Sequence, residues 1–353
     1  MPNLLIKGDN IQGLNYLLQN RKLKGKIDLV YIDPPFATGG NFTITDGRAS
    51  TISNSRNGDI AYSDKLIGKD FIGFLRERFV LLKDLLSERG SIYVHIDYKI
   101  GHYVKVMMDE IFGIENFRND ITRIKCNPKN FYRIGYGNVK DLILFYTKSS
   151  NPIWNEPREK YTEKDIDKLF NKIDKQGRRY TTVPIHAPGE TENGKSNQPF
   201  KGMPPPKGRH WRTDVETLEK WDQEGLLEWS SNGNPRKIIY ADEREGKRIQ
   251  DVWEYKDPQY PMYPTEKNHE LLDLIIRTSS NPQSLVLDCF CGSGTTLISA
   301  QMNGRKWIGI DQSEHAIKAT IEKLNKISGD LFTDEPVYDY IDMEKILAET
   351  IPS

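Results

Sequence analysis

The segment Ile27-Asp28-Leu29-Val30-Tyr31-Ile32 is apolar at every position but Asp28 and stops at Asp33-Pro34-Pro35-Phe36. A run without polar alternation reads as a strand covered on both faces, the situation in a parallel sheet flanked by helices. Leu285-Val286-Leu287 is a second such run and stops at Asp288-Cys289-Phe290-Cys291-Gly292-Ser293-Gly294-Thr295. Further strands are predicted at 4–6, 92–96, 120–125, 141–147 and 306–310. Helices are predicted at 11–20, 70–89, 99–112, 266–280, 294–303 and 313–327. In 70–89, Phe71, Phe74, Leu75, Phe79, Leu82, Leu85 and Leu86 recur at helical spacing, and Gly90 is the expected stop. Alternating strands and helices predict an α/β, doubly wound sheet.

The rhythm breaks between 151 and 260, which are rich in Pro, Gly, Trp and charge. Thr213-x-x-Glu216 reads as a capping box opening a helix that Gly225 closes, and Asn232-Gly233 signals a hairpin. The expected organisation is residues 1–150 as one half of the α/β domain, 151–260 as an insertion, 261–330 as the other half, and 331–353 as a peripheral acidic tail. With 50 basic and 50 acidic residues the net charge is zero, so nucleic-acid contact has to come from local patches. Three cysteines, Cys126, Cys289 and Cys291, supply neither a disulfide framework nor a four-ligand zinc set. Cys289 and Cys291 read as packed thiols. No signal-peptide pattern opens the chain, and no apolar run nears the roughly 20 residues of a membrane span. A cytoplasmic protein, neither secreted nor membrane-bound, is expected.

Gly292-Ser293-Gly294 is a glycine turn between a strand and a helix, which lets backbone approach a ligand and aims helix N–H groups at it. Alone it is weak evidence, because nicotinamide and flavin enzymes use the same device. The third glycine of a dinucleotide fingerprint is missing. Asp288 ends the strand before the turn, and Asp311 ends the next, Trp307-Ile308-Gly309-Ile310-Asp311. Each taken alone reads equally as a helix cap.

With the Asp-Pro-Pro-Phe segment first and the glycine turn last, the chain resembles the β class of S-adenosylmethionine-dependent DNA adenine methyltransferases. The resemblance covers most of residues 1–325. It implies a Rossmann-like methyltransferase sheet in circularly permuted order, with the insertion as a target-recognition module. It implies S-adenosylmethionine as cofactor, with Asp288 at its ammonium group, Phe290 against it, Gly292, Ser293, Gly294 and Thr295 around it, and Asp311 on its ribose. Tyr263-Pro264-Thr265-Glu266-Lys267 is similar to a family segment that places Thr265 and Lys267 at the cofactor carboxylate, and Asp9 would lie near the adenine ring. Thr265 and Asp9 read equally as helix caps. Cys289 stands where the family commonly has Pro.

The catalytic problem is an exocyclic amine whose lone pair is delocalised into its ring. Asp33 can accept one N–H and the Pro34 carbonyl another, shifting the nitrogen toward sp³. Pro35 stiffens that carbonyl. Phe36, where the commoner residue is Tyr, offers a face for a flipped base. Asp at the first position fits adenine N6 better than cytosine N4 within the family. No cysteine intermediate is required, and His95 reads as a strand end.

Double-stranded DNA is the implied partner. Arg123, Lys125, Lys129 and Arg133, interleaved with Phe131, Tyr132 and Tyr136, form one candidate surface; a solvated loop is the plainer alternative. Lys207, Arg209 and Arg212, beside His210 and Trp211, form a second. The polar segment 37–64 is expected to order over DNA. Gly208–Arg212 and Val252-Trp253 resemble the modification subunits of type III restriction–modification systems and their stand-alone relatives, which implies a cognate restriction subunit and a homodimer as further partners. Cytosine-N4 or RNA methylation by the same machinery, or a non-catalytic DNA-binding relic, are the rival readings.

Overall fold

A computed structural model describes residues 2–34, 41–45, 48–50, 59–63, 69–128, 134–189, 194–231, 233–257, 267–328 and 338–350. The chain divides into two compact units, residues 1–157 with 250–353, and residues 158–249.

The larger unit is built on strands β1 (Asn3–Lys7), β2 (Ile27–Ile32), β3 (Leu86–Ile96), β4 (Phe117–Ile124), β5 (Lys140–Thr147), β6 (Val252–Trp253), β7 (Leu285–Asp288), β8 (Lys306–Asp311) and β9 (Tyr338–Asp342). Among the described residues they form one sheet in the order β6-β4-β5-β3-β2-β7-β8-β1-β9. From β3 through β9 neighbours are parallel, β5 is antiparallel to both β3 and β4, and β6 runs parallel to β4. Helices α1 (Asn10–Gln19), α2 (Lys69–Leu85), α3 (Gly101–Phe112), α4 (His269–Ser279), α5 (Thr295–Met302) and α6 (Glu314–Ser328) supply the crossovers.

Strand alternation sorts the core. Val30, Ile32, Ile92, Val94 and Ile96 share a cluster with Leu14 and Leu17 of α1, Phe71, Leu75, Phe79 and Leu82 of α2, and Val104 and Met108 of α3. Each such side chain contributes about 1.5–3 kcal/mol on burial. The intervening residues, Tyr31, Tyr93 and His95, turn to the other face. There the Tyr93 hydroxyl meets Ser279 Oγ of α4 at 2.8 Å.

The strand order places the site. Chain from β2 proceeds through α2 to β3 on one side, whereas chain from β7 proceeds through α5 to β8 on the other. Between β2 and β7 the winding changes direction, and the carboxyl ends of these adjacent parallel strands leave a crevice. Asp33 and Asp288 stand at those ends.

Several sequence expectations are corrected. Helix α2 ends at Leu85 and β3 begins at Leu86, before Gly90. The helical spacing ran on because residues 86–90 belong to an irregular stretch where the β2–β3 register shifts. Residues 338–342 pair with β1, and the following helix Met343–Thr350 buries Met343. The acidic tail thus holds an edge strand, with Asp339 exposed and Asp342 paired with Lys7. Residues 151–157 and 250–257 belong to the larger unit: Ile153 N–H bonds Arg89 O at 2.9 Å, and β6 pairs with β4.

In the smaller unit, strands Lys172–Ile173, Arg179–Pro184, Pro235–Tyr240 and Leu227–Trp229 form an antiparallel sheet, with the last two as the predicted hairpin. Ile185, Phe200, Trp211 and Leu218 are its core. Its helix Val215–Gln223 is capped by Asp214, which accepts from Thr217 N–H at 2.8 Å, so the cap lies one residue past Thr213. Of residues 37–64 the structure gives the backbone of three short antiparallel strands, 41–45, 48–50 and 59–63.

Candidate active site

Tyr31, Asp33, Lys267, Asp288, Phe290, Cys291, Gly292, Ser293, Thr295 and Thr296 line a crevice at the carboxyl ends of β2 and β7.

On the β7 side, Asp288 is buried. Phe290 N–H donates to its Oδ1 at 2.9 Å and Thr296 Oγ1 to its Oδ2 at 2.6 Å. Burial pushes its pKa up to about 7 despite both bonds. Gly292 has φ +50 and Gly294 φ +78, left-handed conformations that favour glycine. A Cβ on Gly292 would meet nothing closer than Phe290 O at 4.0 Å, so the turn leaves open space at this crevice-lining position. Gly294 opens α5 as its N-cap. Asp311 pins the turn from β8: Gly292 N–H donates to Oδ2 at 2.9 Å and Ser313 N–H to Oδ1 at 2.8 Å. Burial raises its carboxyl as well. Cys289 and Cys291 are buried free thiols pushed up by burial.

On the β2 side, Asp33 Oδ2 takes an ion pair from Lys267 Nζ at 2.7 Å. Its Oδ1 is buried and has no hydrogen-bond partner among the described residues. Behind it stands His95, fully buried, with Nδ1 3.7 Å from Asp33 Oδ1 and 3.0 Å from the Tyr31 hydroxyl. His95 Nε2 lies 3.3 Å from Asp141 Oδ2, and Lys125 Nζ lies 2.6 Å from Asp141 Oδ1. Burial and the Lys267 charge lower the His95 pKa, which keeps the ring neutral. Burial alone would raise the Asp141 carboxyl, but His95 and Lys125 hold it well below the usual range.

The structure brings Asp33, Lys267, Asp288, Phe290, Gly292, Ser293 and Thr295 together around the crevice, with Gly294 and Asp311 supporting it. Lys267 reaches Asp33 and so ties the two halves of the site. Asp9 caps α1 by accepting from Ile11 N–H at 2.9 Å and pairs with Arg78; it is not among the residues that line this crevice. The surface reading of Arg123 is corrected. It is fully buried, donates through Nε to Tyr255 O at 2.8 Å and pairs with Asp257, so it clamps the chain after β6 and presents nothing to a ligand. Lys125 is committed to Asp141, and Trp211 is core. Lys207, Arg209 and Arg212 are exposed on the smaller unit. Pro35, Phe36, Lys129, Arg133 and Thr265 lie outside the described residues. Sequence reasoning missed His95, Tyr31, Asp141 and Thr296. For His95 and Asp141 the available signal was a polar side chain within or next to the apolar runs Ile92–Ile96 and Leu142–Tyr146.

A family model for DNA methylases of the N6/N4 type matches residues 27–322. The chain belongs to this family. It is accordingly a methyltransferase with a mixed α/β fold. The type II methyltransferase M.EcaI of Enterobacter cloacae is 40% identical over 329 residues, covering 92% of this chain and 69% of that one. The type III StyLTI Mod subunit of Salmonella typhimurium is 26% identical over 328 residues, covering 83% of this chain. This N6/N4 methylase chain spans about half the length of the type III Mod subunits it matches. Among solved structures, the M1.HpyAVI–SAM complex is 16% identical with a TM-score of 0.47, covering 91% of this chain and 100% of that one. The cytosine-N4-specific PvuII DNA methyltransferase is 14% identical with a TM-score of 0.48, covering 97% and 95%.

Proposed function

We propose that this chain methylates the exocyclic N6 of adenine in double-stranded DNA, with S-adenosylmethionine as cofactor. The observation that carries the reading is Asp33, which lines the crevice and keeps a buried carboxylate oxygen without a donor among the described residues.

The residues fit the cofactor. Asp288 is a buried carboxylate whose ionisation costs energy, so a cationic ligand in the crevice would stabilise it. The open face at Gly292 admits close approach to backbone. Asp288 would hold the ammonium group, Phe290 the apolar edge, Asp311 the ribose side, and Gly292 to Thr295 the turn beneath them. Bound there, S-adenosylmethionine supplies the methyl carbon as an electrophile on a sulfonium.

Asp33 then accepts one N–H of the target amine and the Pro34 carbonyl the other. Accepting both bonds draws electron density onto the nitrogen, and Asp33 offsets the positive charge that develops there. Alignment inside the crevice provides the rest, since a direct displacement gains most from proximity. Reaching the site from a duplex requires the base to flip out of its stack. Lys207, Arg209 and Arg212 on the inserted unit are the proposed backbone contacts, and that unit the target-recognition module. A carboxylate at the first motif position favours adenine over cytosine. The similarity to restriction–modification methyltransferases supports a restriction–modification setting, and a restriction subunit and a second copy of the chain are the proposed partners.

Nucleoside mass spectrometry of unmethylated DNA after incubation with protein and S-adenosylmethionine tests this, with Asp33→Ala in parallel. N6-methyladenine that falls at least ~100-fold in the variant supports the proposal. N4-methylcytosine overturns the target base, and unmodified DNA overturns the activity.

A further inference from the structure

Adjacent strands β2, β3 and β5 each turn a polar side chain of one linked row onto the same buried face, and the residue after β4 reaches it. They form a row: Tyr31, His95, Asp141, Lys125. The row starts behind Asp33 and runs across the sheet away from the crevice. Apolar side chains would serve the sheet as well or better, because burying a histidine and a carboxylate carries a desolvation cost that their pairing only partly returns. The row therefore asks for a role that packing does not supply.

Its hydrogen bonds have one consistent direction. An ionised Asp141 can only accept, so His95 Nε2 carries the ring proton. Lys125 beside Asp141 favours the ionised form. The neutral ring then presents a lone pair at Nδ1, to which the Tyr31 hydroxyl donates at 3.0 Å. The opposite tautomer would place an N–H at Nδ1, facing Asp33 Oδ1 across 3.7 Å. A small movement would close that bond and consume the acceptor.

We propose that His95 is a positioning residue for methyl transfer: Asp141 holds it in the Nε2–H tautomer, and the Nδ1 lone pair so presented keeps Asp33 Oδ1 free of donors for the substrate amine. The kinetic part rests on the methyl-transfer reading above; the tautomer does not.

The experiment has two arms on the intact chain. In the first, ¹⁵N-histidine labelling and a His95→Phe or His95→Gln difference spectrum identify the His95 ring nitrogens at neutral pH. A pyridine-type Nδ1 with a pyrrole-type Nε2 is expected; an Nδ1–H or doubly protonated ring overturns the proposal. In the second, Asp141→Asn is expected to lower kcat about 10–100-fold, as loss of a supporting hydrogen bond does elsewhere. The KM for DNA and the Kd for S-adenosylmethionine should stay within about threefold, since a loss confined to kcat marks an interaction made in the transition state. A kcat within about twofold of wild type, or a loss shared equally by kcat and cofactor binding, overturns the proposal. Wild-type protein that transfers no methyl group overturns the methyl-transfer reading instead, and the ring spectrum still decides the tautomer.

Discussion

Asp288→Asn separates the electrostatic cost of the cofactor crevice from its use. Burial moves the Asp288 carboxyl from its ordinary 3.8 to about 7. At about 1.4 kcal/mol for each tenfold change in proton affinity, that gap sets about 4 kcal/mol against the ionised carboxylate in the folded chain. The native state therefore holds a proton that the unfolded chain has already lost. The stability tied to this proton is complete below pH 3.8 and drains away as pH rises through about 7. Asparagine can accept from Phe290 N–H and donate to Thr296 Oγ1, so it keeps both contacts and removes the charge. Urea unfolding followed by circular dichroism is expected to show the variant gaining on wild type by roughly 2–3 kcal/mol more at pH 8 than at pH 5. Parallel pH dependences in the two proteins would refute the reasoning, because they would mean that Asp288 titrates as it does in the unfolded chain. The same reasoning makes cofactor binding by wild type release close to one proton at about pH 6 and binding by the variant release none, readable by calorimetry in buffers of different ionisation heat.

Two further substitutions test the frame. Gly294→Ala combines a φ of +78 with a Cβ 2.7 Å from the Thr320 side chain, whose hydroxyl donates to Gly292 O; a loss of about 1–3 kcal/mol in denaturant unfolding and weaker S-adenosylmethionine binding are expected. Arg123→Ala strips the partner from Asp257 and leaves a cavity, so a loss of roughly 3–5 kcal/mol is expected, with DNA affinity per folded molecule unchanged in a filter-binding assay.

Local patterns carried far along this chain. Short apolar runs marked β2 and β7, because a strand buried on both faces has no room for alternation. Asp33, Asp288 and Asp311 were legible because each ends or directly follows its strand, and Gly292 because its turn comes just after one; the carboxyl ends of parallel strands meet at one edge. Caps were read less well: Thr213 yields to Asp214, one residue on. The edge strand Tyr338–Asp342 was missed because only one side pairs, so its acids and half-exposed residues read as a loose tail. Arg123 looked like surface because charge usually is, and its burial depends on Asp257, 134 residues away.

What the amino-acid order determined unaided was a βα rhythm, its interruption, and two acid-tipped strands on either side of it. Those are properties of neighbours in sequence, governed by side-chain period and turn chemistry. What only the tertiary structure decided was adjacency: that β2 lies against β7, so Lys267 bridges to Asp33, and that β3, β5 and β4 line up His95, Asp141 and Lys125 behind it. Residues spread over three strands share no spacing that a linear reading can detect. Their hydrogen bonds exist because the sheet order brings those strands side by side, and it does so only once the whole core has closed over them.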